Sequence, residues 1–265
     1  MQSVIISNID LRVSRLAFGT AKLHHVFSQS ARVRLLKSAY DIGITHFDTS
    51  PYYGFGLAEL DLGLFLKGHR DKVTVATKVG IYPPGRAVNA SLAAWTRKAA
   101  GKLYSGFSAP VISWNIEVAK RSLNESLKRL RTDYVDILFL HEPNHSLINS
   151  EEFLSWLSDE KSKGKIKYWG LAGFSGSLIN FVKKNDPLSM ITQTKDSINN
   201  KEADVVINQG RELQFTYGYL SSAFKDGKQV TAEHLLRMAL KRNQSGAILV
   251  SSRRVERIKM LAAIM

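Results

Sequence analysis

Apolar and polar residues follow two alternating patterns along the chain. Short apolar runs rich in β-branched residues predict eight strands, at 15–19, 44–48, 73–78, 134–141, 168–173, 190–194, 212–217 and 247–251. Apolar residues at helical spacing predict helices at 30–42, 57–66, 116–130, 151–163, 177–184, 202–209, 231–241 and 255–264. This strict alternation indicates parallel βαβ units.

Eight such units close a (β/α)8 TIM barrel, and a length of 265 residues suits one barrel domain spanning 1–265. A doubly wound open sheet is the alternative architecture. Residues 4–13 predict a short N-terminal β-hairpin that covers the barrel bottom. The long loop after strand 3, at 81–115, favours an ordered aromatic flap over the mouth, and an insertion with its own small helix is the alternative.

The amino-acid composition excludes several kinds of chemistry. The chain has no cysteine, which excludes disulfides, thiolate nucleophiles and Cys-ligated zinc. Residues 1–16 mix polar and charged side chains with apolar ones and do not resemble a signal peptide. No run approaches the roughly 18 apolar residues of a membrane span. We therefore expect a cytoplasmic protein without a membrane partner.

A net charge of +14 raises the question of a nucleic-acid partner. Residues 81–114 contain four basic and no acidic side chains, and residues 225–265 contain nine basic and three acidic ones. In a barrel, both stretches contribute loops at the mouth, where positive charge attracts phosphates. This explanation is at least as good as a nucleic-acid surface, so we expect a small-molecule partner and no nucleic acid.

Candidate chemistry lies where the predicted strands end. Asp48 and Tyr53 occupy a loop between a strand and a helix, Lys78 ends the next strand, and His141 ends the fourth. In barrels these strand ends converge on one mouth. A tyrosine there can donate a proton if a nearby cation lowers its pKa from about 10. The alternatives are a helix-capping aspartate and a surface lysine.

Two short motifs suggest other kinds of site, a zinc site and a phosphate site, and each is a weaker signal than the strand-end residues. Residues 141–145 match the H-E-x-x-H pattern of zinc proteases, but they follow a predicted strand and Pro143 opposes a helix, so we expect no metal. Arg253, Arg254 and Arg257 open the last helix, where backbone N–H groups favour anions, and they predict a phosphate site. A solvated basic face is the alternative.

Taken together, the motifs resemble those of the aldo-keto reductase family. The resemblance rests on the pattern of residues 47–63, on Ala76-Thr77-Lys78-Val79-Gly80, and on residues 122–136 leading to Leu140-His141-x-Pro143. It covers nearly the whole chain and keeps the order of the motifs. The resemblance implies a barrel that reduces carbonyls with NADPH, with Asp48, Tyr53, Lys78 and His141 as the catalytic tetrad. Tyr53 would be the general acid, Lys78 held by Asp48 would lower its pKa, and His141 would orient the carbonyl.

The resemblance also implies residues that bind the cofactor. Gln193 matches the glutamine at the nicotinamide amide, Tyr217 matches the aromatic residue that stacks on the ring, and Ser252 with Arg257 matches the 2′-phosphate segment. Ser251 stands where a lysine is common, so Arg253 or Arg254 would supply that charge, and NADPH is favoured over NADH. The full cofactor set is Gly19, Thr20, Asp48, Gln193, Tyr217, Gly218, Leu220, Ser252, Arg253, Arg254 and Arg257. We expect Tyr52, Tyr82 and Trp114 to contact the substrate.

One departure from the family pattern concerns the nicotinamide amide. Ala172 and Gly173 stand where the family usually has serine and asparagine. Losing two polar partners would weaken binding by about 1 to 3 kcal/mol unless Ser175 or a water replaces them. This departure motivates the alternative function, a cofactor-binding regulatory barrel with little or no turnover. The main hypothesis is reduction of an aldehyde, ketone or sugar carbonyl, including phosphorylated sugars.

Overall fold

The computed structural model describes residues 1–85, 109–222 and 230–265. Its barrel strands are β3 Leu16–Gly19, β4 His46–Asp48, β5 Thr74–Val79, β8 Val135–His141, β9 Ile166–Gly173, β10 Thr192–Lys195, β11 Phe215–Tyr217 and β12 Ala247–Val250. Adjacent strands pair in parallel in this order, and β12 pairs with β3, which closes the barrel. The predicted TIM barrel is confirmed, and the open-sheet alternative is excluded.

Helices follow the barrel strands as predicted, with small shifts at their ends. In the described residues they are α1 Gln29–Asp41, α2 Leu57–Leu66, α3 Ile116–Leu130, α4 Ser150–Ser162, α5 Ser175–Lys183, α6 Asp204–Ile207, α7 Tyr219–Ser222, α8 Ala232–Arg242 and α9 Val255–Ala262. Several of these helices begin at a residue whose side chain accepts a hydrogen bond from a backbone N–H of the first turn. Asn115, for example, accepts hydrogen bonds from the backbone N–H groups of Glu117 and Val118 at 2.9 and 3.1 Å and so begins α3.

The predicted hairpin forms from β1 Ser3–Ile5 and β2 Arg12–Ser14, paired antiparallel. Its loop inserts Ile6 and Leu11 into the apolar cluster inside the barrel. The Gln214 side-chain amide donates to the Ser7 carbonyl at 2.8 Å, and Gln214 precedes β11. The hairpin therefore closes the amino-terminal end of the barrel and leaves the carboxyl end as the open one.

Two further strands, β6 Ile81–Tyr82 and β7 Val111–Ile112, form an antiparallel pair that sequence patterning did not predict. They lie at the two ends of the long connection after β5. Because these two strands pair, residues 85 and 109 lie on the same side of the barrel. The aromatic residues Trp95, Tyr104 and Phe107 of the predicted flap lie outside the described residues.

Candidate active site

A cavity of about 710 Å³ opens at the carboxyl ends of the barrel strands, and we call it the mouth cavity. Ile81 and Pro110 lie on its wall, which places both ends of the long connection at this opening. The predicted site residues on the wall are Gly19, Asp48, Tyr52, Tyr53, His141, Gln193, Tyr217, Gly218, Leu220 and Arg257. Strand ends that are far apart in sequence thus converge on one space, as a barrel requires.

Asp48 and Lys78 form a buried ion pair below the mouth cavity. Lys78 Nζ lies 2.5 Å from Asp48 Oδ1 and also donates to the Thr49 carbonyl at 2.9 Å. The Gln193 amide donates to the same Asp48 oxygen at 2.8 Å. Burial lowers the pKa of Lys78, and Asp48 opposes this effect. The carboxylate therefore fixes two side chains that the sequence placed on separate strands.

The loop after β4 brings Tyr53 next to this ion pair. Three consecutive residues, Gly54, Phe55 and Gly56, adopt positive φ angles of 61°, 58° and 91°, and α2 begins directly afterwards. Glycine is needed at 54 because a Cβ would lie 2.6 Å from His24 Cβ. This tight turn holds the Tyr53 ring with its centroid 5.1 Å from Lys78 Nζ.

His141 completes the group around Tyr53. Its ring centroid lies 6.0 Å from that of Tyr53, with the two ring planes at 89°. Burial lowers the pKa of His141 to about 3, with a smaller contribution from Lys78. The imidazole is therefore neutral near physiological pH, and its Nδ1 atom is buried without a partner in the described residues. The structure brings all four tetrad residues together.

The pKa of Tyr53 shifts in the direction opposite to the one predicted. Burial raises it well above its usual value, and electrostatic interactions with Asp48, Tyr217 and Glu142 add to the increase. The predicted lowering by Lys78, held by Asp48, is outweighed by burial of the phenol, and the Asp48 carboxylate paired with that cation itself raises the pKa of Tyr53. The phenol is therefore protonated in the free protein and holds a proton to donate, but its raised pKa makes it a weaker acid than a phenol whose pKa is lowered by a cation.

Glu142 is a cavity residue that sequence reasoning missed. Its backbone has a φ of 51°, and Oε2 accepts hydrogen bonds from Phe174 N–H and Ser177 Oγ at 3.0 Å each. Burial raises the pKa of this carboxyl. In the sequence, Glu142 stood out only as part of the H-E-x-x-H pattern. Because β8 extends to His141, this segment is not a zinc-binding helix.

The end of β12 and the start of α9 form another part of the mouth cavity wall. Ser251 Oγ donates to the Gly19 carbonyl at 2.8 Å, and Arg257 lies on the wall. Ser252 Oγ accepts from Arg254 N–H at 3.0 Å and so shapes the turn into α9. Arg253 and Arg254 are exposed and do not line the mouth cavity.

Four other predicted residues lie behind the cavity wall. Thr20 Oγ1 donates to the Asp48 carbonyl at 3.0 Å and supports that strand end. Tyr82 and Trp114 belong to the hydrophobic core, where the Trp114 indole packs over Gly80. Ser175, suggested as a replacement at the nicotinamide amide, does not line the mouth cavity. A substrate contact for Tyr82 or Trp114 stays a prediction that this geometry does not support.

The described part of the chain lacks two structural features. No group of three histidine, aspartate or glutamate side chains comes together there in an arrangement that could hold a metal ion. Across the same described ranges, none of the helices combines the length and apolarity needed to cross a bilayer.

Comparison with known proteins gives the following matches. The model of the Aldo/keto reductase family matches residues 15–193. L-Galactose dehydrogenase of Arabidopsis thaliana is 30% identical over 211 residues, covering 77% of this chain and 54% of that protein. L-Glyceraldehyde 3-phosphate reductase of Escherichia coli (strain K12) is 30% identical over 174 residues, covering 62% and 43%. The chain thus spans about half the length of these curated relatives.

Solved structures extend the likeness to the complete barrel. An aldo-keto reductase from Klebsiella pneumoniae, crystallised in complex with NADPH, matches with a TM-score of 0.67 and 18% sequence identity. The match covers 99% of this chain and 89% of that one. At this identity the likeness concerns the fold alone.

Proposed function

The chain belongs to the aldo/keto reductase family, and from this premise we propose that it reduces an aldehyde, ketone or sugar carbonyl to the alcohol with NADPH. The observation that carries the proposal is the Asp48–Lys78 ion pair beside Tyr53 and His141 in one cavity. These groups come from three barrel strands and one loop. They supply a proton donor, a cation and a neutral imidazole within a single site.

The mouth cavity fits a nicotinamide cofactor in its size and in the order of its residues. A volume of about 710 Å³ lies in the range of small-molecule sites. Gln193 and Tyr217 would hold the nicotinamide end, Gly218 and Leu220 the middle, and Arg257 the phosphate end at the start of α9. When bound, the cofactor supplies the hydride that adds to the carbonyl carbon.

The proton comes from Tyr53. As the carbonyl carbon gains hydride, its π electrons move to the oxygen, which takes the phenolic proton. The raised pKa of Tyr53 keeps the phenol protonated near neutral pH, so release of the proton requires stabilisation of the phenolate by a nearby cation. The resulting phenolate forms near the Lys78 ammonium, whose position is fixed by Asp48 and by the Thr49 carbonyl. His141 presents its neutral ring perpendicular to Tyr53, where it can orient the carbonyl.

The substrate class follows from the opening of the cavity and from the relatives. Tyr52 and Phe174 place aromatic rings on the wall, and Lys22 adds an exposed cation. Aromatic faces with nearby polar groups suit a sugar, and a cation suits a phosphorylated one. The names of two relatives refer to L-galactose and to L-glyceraldehyde 3-phosphate. A small aldose or its phosphate is therefore the proposed substrate.

Replacing Tyr53 with phenylalanine tests this proposal. Tyr53→Phe should lower kcat with an aldose by a factor on the order of 10² to 10⁴, because general acid catalysis contributes about that much. Its NADPH affinity, measured by calorimetry, should change by less than about twofold. Tyr168→Phe, near the closed end of the barrel, is the control and should turn over normally. Unchanged turnover in Tyr53→Phe would remove the phenol from the chemistry.

The alternative, a regulatory barrel that binds cofactor without turnover, is distinguished in the same experiment. It predicts NADPH binding by the wild-type protein but no NADPH oxidation with any aldose, ketose or sugar phosphate. The substitution of Ala172 and Gly173 for polar residues favours this alternative. The carboxylate of Glu142 beside Gly173 argues against it, because polar chemistry is retained at that position.

A further inference from the structure

Glu142 is an acidic side chain on the wall of the mouth cavity that the proposed reaction leaves without a role. It follows His141 directly, and its N–H donates to the Ala172 carbonyl at 2.7 Å. Phe174 N–H and Ser177 Oγ both donate to Oε2. No hydrogen bond from the described residues reaches Oε1. The carboxylate is therefore held in one position with one oxygen available to a ligand.

The space that holds this carboxylate exists because residues 172 and 173 are small. A Cβ at Gly173 would lie 2.6 Å from Glu142 Oε2 and 2.4 Å from Ser177 Oγ. Ala172 lies between His141 and Gln193 in the sheet and presents only a methyl group. An asparagine at 173 could not coexist with this arrangement. The two small residues and the acidic one thus form a single feature of this chain.

The charge of Glu142 is not neutralised by a cation in the described residues, where no ion pair includes it. Two lysines at this end of the barrel already have carboxylate partners, Lys78 with Asp48 and Lys195 with Glu202 at 2.9 Å. Lys22 also lines the mouth cavity but is exposed to solvent. Glu142 therefore places negative charge in the wall next to the reacting groups.

The negative charge of Glu142 acts on two tyrosines that line the mouth cavity. Burial, mainly, raises the pKa of Tyr217, and the charge of Glu142 is the next contribution. Glu142 also contributes to the raised pKa of Tyr53. Both phenols line the same cavity as Glu142. A ring bound in this cavity would experience the same field.

We propose that Glu142 is the electrostatic partner of the nicotinamide ring and selects its oxidised, cationic form. This inference rests on the proposed function, because it requires the nicotinamide to lie beside Tyr217 and Gln193. The ring of NADP⁺ carries a positive charge that the ring of NADPH lacks, whereas their phosphates are the same. A fixed carboxylate therefore attracts the oxidised ring selectively. Positive charge also develops on the ring as hydride leaves, so Glu142 favours hydride donation.

Calorimetric titrations with NADP⁺ and with NADPH test this role. Glu142→Gln keeps an oxygen that accepts hydrogen bonds from Phe174 and Ser177 but removes the charge. It should weaken NADP⁺ binding about tenfold, a modest Coulomb effect in a partly wet cavity, and change NADPH binding by less than about twofold. Glu202→Gln removes a carboxylate that is already paired with Lys195 and should not alter the ratio of the two affinities.

A second variant provides an independent test in case Glu142→Gln misfolds. Gly173→Ala places a Cβ where Oε2 lies, so it should displace the carboxylate and reproduce the selective loss of NADP⁺ affinity. Equal weakening of both cofactors, or unchanged affinities in Glu142→Gln, would overturn the inference while leaving the reductase proposal intact. Failure of the wild-type protein to bind either cofactor would instead overturn the proposed function and this inference with it.

Discussion

Lys78→Met should strongly destabilise the protein, because it leaves the Asp48 carboxylate buried without its cation. The side chains of Lys78 and Asp48 are only 1% and 4% exposed. Removing one member of such a pair costs about 3–5 kcal/mol, since the remaining charge loses its partner but regains little water. The Gln193 amide still donates to Asp48 and offsets part of this cost. We therefore expect a loss near 3 kcal/mol in the free energy of unfolding.

Urea unfolding followed by circular dichroism measures this loss, with the double variant Asp48→Asn/Lys78→Met as the matched control. The double variant removes both charges and should recover most of the lost stability, although it remains inactive. Recovery would mean that the ion pair is retained for chemistry and not for folding. A loss below about 1 kcal/mol in Lys78→Met, or a double variant no more stable than the single one, would refute this reasoning.

Three further predictions concern other contacts. Gly80→Ala should cost more than about 2 kcal/mol of stability in urea unfolding, because φ is 110° and a Cβ would lie 2.3 Å from Trp114, whereas Gly176→Ala has open space and should be neutral or stabilising. Burial lowers the pKa of His46 from 6.5 to about 4, so His46 alone should lower the unfolding free energy by up to about 1.4 kcal/mol per unit as pH drops from 6.5 towards 4; His141 acts in the same direction, and His46→Gln should show a slope smaller by the His46 share. Arg257→Ala should weaken NADPH binding about tenfold to a hundredfold and leave NADH binding unchanged in titrations.

The arrangement of the barrel could be predicted from sequence because most barrel strands are buried on both faces. Residues of β8 such as Ile137 and Phe139 are fully buried and produce a nearly continuous apolar run. Short polar elements gave weaker signals. The helix predicted at 202–209 is only Asp204–Ile207, and the β6–β7 pair has two residues per strand, too few for a periodic pattern.

The grouping of Asp48, Tyr53, Lys78 and His141 could be predicted because their spacing along the chain is a strong motif, but the electrostatics of the group could not. The pKa of Tyr53 depends on Asp48, Tyr217 and Glu142, which are brought to it by separate strands. Glu142 itself escaped notice because its position over Gly173 depends on a positive φ after β8. The available signal was the coincidence of an acidic residue after His141 with two small residues at 172 and 173.

Tyr82 and Trp114 were predicted to contact the substrate, but the structure does not support this role. Both are aromatic and lie in the connection near the mouth, which made them reasonable candidates for substrate contact. The structure packs Trp114 against Gly80 and Phe153, and Tyr82 belongs to the same core. Burying a large aromatic ring in the core is more favourable in free energy than leaving it exposed at the cavity opening. Aromatic residues near a site therefore need three-dimensional contacts before a role is assigned.

Transfer of deuterium from cofactor to product tests the central claim most directly. The wild-type protein would be mixed with an aldose and NADPH carrying deuterium at both C4 positions, and the alcohol analysed by mass spectrometry. The account predicts one deuterium bound to the former carbonyl carbon, and formation of this product slower by a factor on the order of 10² to 10⁴ when Tyr53→Phe replaces the wild type. Alcohol without deuterium, or no alcohol from any aldose, ketone or sugar phosphate despite tight NADPH binding, would contradict it.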